Sequence, residues 1–181
     1  MTATPVRSCG LLSGDPELTD EWWETLNTSL DNLARARTTR VAMPDTEPIA
    51  QPLVAAEINR AFPDRVDTTI TDHEWVPTHA DFNWANANLT SPECWILDWE
   101  DHGLAPRGLD AATLWISSLT VPGLAQRVYQ ERRADLDTRS GRLMALFQCT
   151  KIVNDLGRSS TDPLFDLAAG VADKLIADLQ D

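Results

Sequence analysis

The stretch that most constrains this chain is His79-Ala80-Asp81-Phe82-Asn83-Trp84-Ala85-Asn86, followed closely by Cys94-Trp95-Ile96-Leu97-Asp98-Trp99-Glu100-Asp101. It sets a carboxylate at Asp81, an amide at Asn86 and a second carboxylate at Asp98. Asn88-Leu89-Thr90 and residues 94–97 flank Ser91-Pro92-Glu93, whose residue types favour a tight turn. A small β-hairpin over 88–97 is expected, with Asp98 returning beside Asn86 at the end of its second strand. One loop and one hairpin must then deliver three oxygen-bearing side chains to one place. Carboxylate and amide oxygens suit a magnesium ion. A carboxylate within reach of a substrate hydroxyl can accept its proton.

The rest of the chain reads as mainly helical. Asp20 is placed to cap a helix over 20–40, with Trp23, Leu26, Leu30 and Leu33 recurring on one face. A second helix is predicted over 51–61 and stopped by Pro63. Val66, Thr68, Thr69, Ile70 and Val76 suit a short strand or an extended lead-in to the motif. Beyond Pro106, helices are expected over 111–119 (capped by Asp110), 122–137, 139–156 (stopped by Gly157) and 163–179. The whole reads as one domain over 1–181: a loose lead-in at 1–15, the motif loop and hairpin at 79–101, and a helical subdomain at 108–181.

Composition narrows the function. A net charge of −13 repels phosphate backbones and argues against nucleic-acid binding. It can draw a cationic substrate toward a cleft, although acidity more often serves only solubility. The start of the chain lacks the basic and apolar runs of a secretory signal, and nothing is long and apolar enough to span a bilayer. A cytoplasmic location without membrane contact is expected. Cys9, Cys94 and Cys149 are far apart, which suits reduced structural thiols. Cys94, inside an apolar run, reads as core and not as a nucleophile. His79 is expected to pack beneath the loop and bond backbone, and Asp110 to hold a helix start or brace the loop. Trp84, Trp95, Trp99 and Trp115 read as core or cleft walls. Glu100 and Asp101 read as a solvated acidic turn. The sequons at Asn27 and Asn88 carry little weight without a signal peptide.

The residues from His79 to Asn86, Trp95 to Asp101 and Gly108-Leu109-Asp110-Ala111-Ala112-Thr113-Leu114 together resemble the aminoglycoside phosphotransferase family. That resemblance implies a kinase-like fold and transfer of the γ-phosphoryl of ATP, or of GTP, to a hydroxyl of a small molecule. It makes Asp81 the catalytic base, and Asn86 and Asp98 the ligands of Mg2+ on the nucleotide. Asn88 is a second candidate amide; Asn86 keeps the family's spacing from Asp81. Ala80 stands where the family has glycine, and Asn83 where it has a second histidine.

The larger departure lies upstream. The family's N-terminal lobe carries a phosphate-covering loop and a phosphate-gripping lysine, whereas the residues before His79 read as helices of the C-terminal lobe. No lysine precedes Lys151, and an arginine substitute such as Arg7 fits poorly. Gly103 and Gly108 have P-loop spacing, but Leu109-Asp110 follows where Lys-Ser or Lys-Thr is needed. The expectation is therefore a C-terminal lobe alone, with phosphoryl transfer weak or lost. Its acceptor is a small hydroxylated metabolite, cationic if the acidic charge steers it. The rival reading is a non-catalytic, pseudokinase-like binding or regulatory module, with a second copy or a partner chain covering the missing lobe's face. A third reading, a metal-dependent hydrolase built on His79, Asp81 and Asp98, has only His73 and His102 as further imidazoles.

Overall fold

The computed structural model describes residues 10–156 and 162–180. Arg7, Cys9 and the helix stop at Gly157 lie outside the described residues. Helix α1 spans Asp20–Arg35 and buries Trp22, Trp23, Leu26 and Leu30. Thr19, not Asp20, caps it: the Thr19 hydroxyl accepts the Trp22 amide at 3.2 Å. Asp20 and Glu21 instead occupy the first turn, where the helix dipole favours negative charge. The helix ends short of Arg40 because residues 40–42 are drawn to a sheet edge. Leu104 N donates to Arg40 O at 2.7 Å, and Ala42 N to Leu104 O at 3.1 Å. Helix α2, Gln51–Ala61, has the predicted span and buries Val54, Ile58 and Ala61.

The regular sheet is not the hairpin expected from the sequence. Strands β1 (Trp75–Thr78) and β2 (Gly103–Pro106) pair antiparallel, with Trp75 opposite Pro106 and Thr78 opposite Gly103. The predicted hairpin over 88–97 shrinks to a single antiparallel bridge, Ala87 to Ile96. Its turn uses its donors locally: Thr90 N bonds Asn88 Oδ1 at 3.0 Å and Glu93 N bonds Ser91 Oγ at 3.2 Å. Those amides are lost to a ladder. The motif is thus one long excursion, residues 79–102, between two paired strands. Gly103 permits the closure: a Cβ there would lie 2.4 Å from Ala42 N.

Helix α3 (Leu109–Ile116) starts from Gly108, at φ +90°, not from an Asp110 cap. The expected helix over 122–137 is broken into α4 (Pro122–Glu131) and α5 (Arg133–Leu136). The break falls at Arg132, whose buried side chain ion-pairs Asp31 at 3.0 Å and also Asp135. Helices α6 (Arg139–Leu156) and α7 (Pro163–Gln180) match their predicted positions. Residues 143–150 of α6 are all buried, so this part of the helix is enclosed on every side and lies at the centre, against α2, α3 and α7. A second core gathers α1, the motif loop and α4 around Trp22, Phe82, Trp84 and Val128. The architecture is mainly α with one two-stranded sheet. Among the described residues no helix is long and apolar enough to cross a membrane.

Residues 10–12, expected as part of a loose lead-in, are buried. Thr120 Oγ1 donates to Leu12 O at 3.2 Å. Gly10, at φ +71°, lies so close to Asn83 that a Cβ would meet its Oδ1 at 2.3 Å.

Candidate active site

β1 runs straight into the motif, and Asp110 fixes the first residues of the loop. Its Oδ2 accepts the His79 amide and its Oδ1 the Ala80 amide, each at 2.8 Å. Burial pushes the Asp110 carboxyl up; the two amides, His79 and Arg132 pull against that. Of the two roles expected of Asp110, bracing the loop is the one observed. The brace holds Ala80 at φ +78°, in the left-handed region that glycine tolerates. The alanine stands there in a strained backbone.

His79 is fully buried, as expected. Its Nε2–H donates to Leu97 O at 2.7 Å, and its ring meets Phe82 and Trp99 edge-on at 5.8 and 4.9 Å. Its Nδ1 is buried without a partner. Trp84 is core: it stacks on Trp22 at 6.1 Å and donates from Nε1 to Ser118 Oγ at 2.9 Å. Trp22 Nε1 in turn donates to Asn88 O at 2.8 Å, tying α1 to the loop. Trp95 and Trp99 differ from expectation and are exposed. Cys94 and Cys149 are buried free thiols whose burial pushes their pKa up to about 12, consistent with structural roles.

Two of the three candidate side chains meet directly. Asn83 donates from Nδ2 to Asp81 Oδ1 at 3.0 Å. Asn86 donates from Nδ2 to Asp81 Oδ2 at 3.1 Å and to Asp81 O at 2.8 Å. With its NH2 committed to Asp81, the Asn86 amide has its oxygen arm turned elsewhere. Asn88, the rival amide, has its Oδ1 occupied by Thr90 N and Thr90 Oγ1, the latter at 2.9 Å. Asp98 reaches the others through backbone. Leu97 N donates to Asn86 O at 2.9 Å, and Leu97 O takes the His79 ring. The residue after that clamped peptide is Asp98, exposed and at φ +59°. Aspartate bears this left-handed conformation better than most residues.

A cavity of about 390 Å³ under Trp115 lies away from these groups. A cavity of about 320 Å³ opens beside Asp81, with polar walls from Asn83, Thr113, Ser117, Gln148 and Lys151. Three of these wall residues, Ser117, Gln148 and Lys151, lie outside the motif stretches of the sequence. Gln148 and Lys151 are one turn apart on α6, so the signal is helical spacing, invisible until α6 is laid against the motif loop. Asn83 stands out in the sequence only as a departure, yet it holds Asp81 and caps its own turn by accepting the Ala85 amide at 2.9 Å. Among the described residues no three His, Cys, Asp or Glu side chains gather as a metal-holding group, and His79 spends its Nε2–H on Leu97 O.

The family model for the phosphotransferase enzyme family matches residues 10–144 of the 181. The chain belongs to that family. No curated protein and no solved structure matches it. At the coarse level, the phosphotransferase family carries phosphoryl transfer as its chemistry, generally with ATP and Mg2+. The match contains Asp81, Asn86, Asp98 and the Asp110 brace. It stops before Gln148 and Lys151, so this phosphotransferase-family chain completes its cavity with residues beyond the matched part.

Proposed function

We propose that this chain is a kinase-like C-terminal lobe that transfers the γ-phosphoryl of ATP, or of GTP, to a hydroxyl of a small molecule in the cytoplasm, with weak turnover. The observation that carries the reading is the Asp81–Asn86 pair held beside a cavity. In this reaction the acceptor oxygen bonds to the γ-phosphorus as the bond from that phosphorus to the β,γ-bridging oxygen breaks. The hydroxyl proton passes to Asp81, and the nucleoside diphosphate leaves with the bridging oxygen. Asn83 and Asn86 fix the carboxylate from both sides, so it is oriented before substrate arrives.

The donor set fits Mg2+: a carboxylate at Asp98 and an amide oxygen at Asn86, both hard. Those two residues would hold the ion, and when bound it neutralises charge on the nucleotide phosphates. Weak turnover is proposed because positioning and charge neutralisation dominate phosphoryl transfer. Among the described residues the ones ahead of His79 form α1, α2, short turns and β1, so the groups that would position the phosphates are not supplied from this part of the chain. Buried free thiols at Cys94 and Cys149 support the cytoplasmic setting.

Calorimetry with Mg·ATP, paired with an ATPase assay, tests the reading. Asp98→Ala is expected to weaken nucleotide binding at least ~10-fold. Asp81→Asn is expected to keep binding while slow turnover falls by ~10² or more. Nucleotide binding indifferent to Asp98→Ala would sink the reading, and fast turnover would sink the claim of weakness.

A second reading, a non-catalytic binding or regulatory module, is favoured by one observation. Val41, Met43, Trp95, Leu97 and Trp99 are exposed apolar side chains on neighbouring segments. On this reading the strip is covered by a second copy or by a partner chain.

A further inference from the structure

We propose that Arg132 is a positioning residue for the motif loop, acting through the Asp110 carboxylate that braces it. Its bearing on turnover rests on the phosphotransferase reading; its bearing on the loop does not.

Asp110 accepts the His79 amide on one oxygen and the Ala80 amide on the other, and so sets the backbone that leads into Asp81. Two amide donors on one carboxyl favour its ionised form. Burial works against that charge, and Asp110 is buried. A carboxylate kept ionised inside a protein calls for a cation close by.

That cation comes from the break between α4 and α5. Asp110 and Arg132 line one void of about 30 Å³, room for about one water. Two other charged residues line it, Arg107 and Asp135, and these are paired at 3.0 Å through Arg107 Nε. Two guanidinium groups thus meet two carboxylates. With Arg107 on Asp135, Arg132 is the cation that remains for Asp110. Burial pushes the Asp110 carboxyl up; His79, the Ala80 amide and Arg132 oppose it.

Arg132 is itself held in place. Its side chain is 8% exposed. Nη1 donates to Asn27 Oδ1 at 3.2 Å and Nη2 to Asp31 Oδ1 at 3.0 Å, both on α1, and Nη2 also bonds Asp135. Its Nε is buried without a hydrogen-bond partner. One edge of the guanidinium is therefore fixed to α1 and α5, while the Nε–H is spent on no carboxylate. In such a water-poor setting the charge reaches Asp110 without a direct bond, because little screens it. The helix break at Arg132 and the loop at Asp81 are then two ends of one chain of contacts: Arg132, Asp110, the His79 and Ala80 amides, Asp81.

Amide-proton NMR of the full chain, without nucleotide, tests the link. It is run on the native protein, Arg132→Gln, Arg132→Lys and Asp31→Asn, each checked for folding by circular dichroism. Hydrogen bonds to a charged carboxylate are shorter and stronger than those to a neutral carboxyl, which places their amide protons downfield. In Arg132→Gln the His79 and Ala80 amides are expected to move upfield and to exchange at least ~10-fold faster relative to the amides of residues 143–146. Arg132→Lys keeps the charge and is expected to keep both amides in place. Asp31→Asn cuts the Asp31–Arg132 ion pair from its other end and leaves the cation. A role in holding helices alone predicts the same loss there; the proposal predicts native amides. Unmoved amides in folded Arg132→Gln, moved amides in Arg132→Lys, or equal effects from Arg132→Gln and Asp31→Asn would overturn it. Should Arg132→Gln not fold, moved amides in either of the other two variants still overturn it. With Mg·ATP, Arg132→Gln is expected to lower turnover at least ~10-fold, and by more than it lowers nucleotide affinity. Moved amides with turnover intact would overturn the positioning role. A native chain that neither binds nor turns over Mg·ATP refutes phosphoryl transfer instead, and the amide signals then decide the Arg132 link by themselves.

Discussion

Asp110 is the residue on which the motif's geometry depends. It is 8% exposed, and both its oxygens are filled by backbone amides of residues that are 0% and 3% exposed. Asp110→Ala strands two buried N–H groups, at a cost of about 2–4 kcal/mol in a urea melt, and frees the loop. The strained alanine beside it predicts the opposite sign. Ala80→Gly relieves a left-handed alanine at about 1–2 kcal/mol and gives back part of that in chain entropy, so stability is expected to rise by about 0.5–1 kcal/mol. A loss of stability would show that φ +78° is not strained here. The sequence shows alanine where the resembled family has glycine, but not what that position demands, because the demand comes from an aspartate some thirty residues further along the chain.

The buried thiols give a pH dependence at the same scale. Burial raises Cys94 and Cys149 from an ordinary value of 9.0 to about 12. Above pH 9 the unfolded chain releases these protons and the folded chain retains them. Stability is therefore expected to fall as pH rises through the window from about 9 to about 12, by up to ~1.4 kcal/mol per unit for each thiol. Cys94→Ser and Cys149→Ser together remove both titrating groups, so melts of the double variant are expected to lose that alkaline slope. An unchanged slope would place its origin in other groups.

At the scale of elements, three helices were legible nearly to their ends, the others only in place, and the sheet was not legible. Residues 51–61, 139–156 and 163–180 carry their own punctuation in Pro52, Pro63 and Pro163 and in their apolar spacing. The strands are four residues each, and β2 reads Gly103-Leu104-Ala105-Pro106, with no alternation to mark it. Their pairing is set by segments that meet only after α1 and the motif loop are in place. The same fact makes Gly103 a sharp test. A Cβ there would sit 2.4 Å from Ala42 N and 2.5 Å from Val41 C, both backbone. Backbone cannot swing aside like a side chain. Gly103→Ala is expected to push residues 41–42 off β2 and cost about 2–3 kcal/mol in thermal or urea unfolding, with exchange protection of the Ala42 and Leu104 amides lost first. Gly14→Ala, where a Cβ meets nothing within 4 Å, is the matched control and is expected to be near neutral.

At the scale of the molecule, the question is what the exposed apolar strip does. Trp95 is 60% exposed, Leu97 48% and Val41 43%. The two segments are linked, since Met43 N donates to Asp101 O at 3.1 Å and His102 N to Trp99 O at 3.3 Å. Leu97 and Trp99 flank Asp98 in the chain, and the segment of Val41 and Met43 is hydrogen-bonded to the residues just beyond it. Self-association through the strip would have to work against the repulsion of two chains at −13 each. Salt screens that repulsion, with a Debye length falling from about 10 Å at 0.1 M to about 3 Å at 1 M, and it does not weaken apolar contact. If a second copy covers the strip, the dimer fraction by light scattering is expected to rise with salt, and Trp95→Lys to return the chain to monomer at every salt concentration. Catalysis and association make different demands on this region, because Asp98, exposed and flanked in the chain by Leu97 and Trp99, is the carboxylate proposed to meet the Mg·nucleotide. A salt-driven dimer that loses Mg·ATP binding would show the two readings competing for one surface. A monomer across the whole range would leave that surface to the nucleotide.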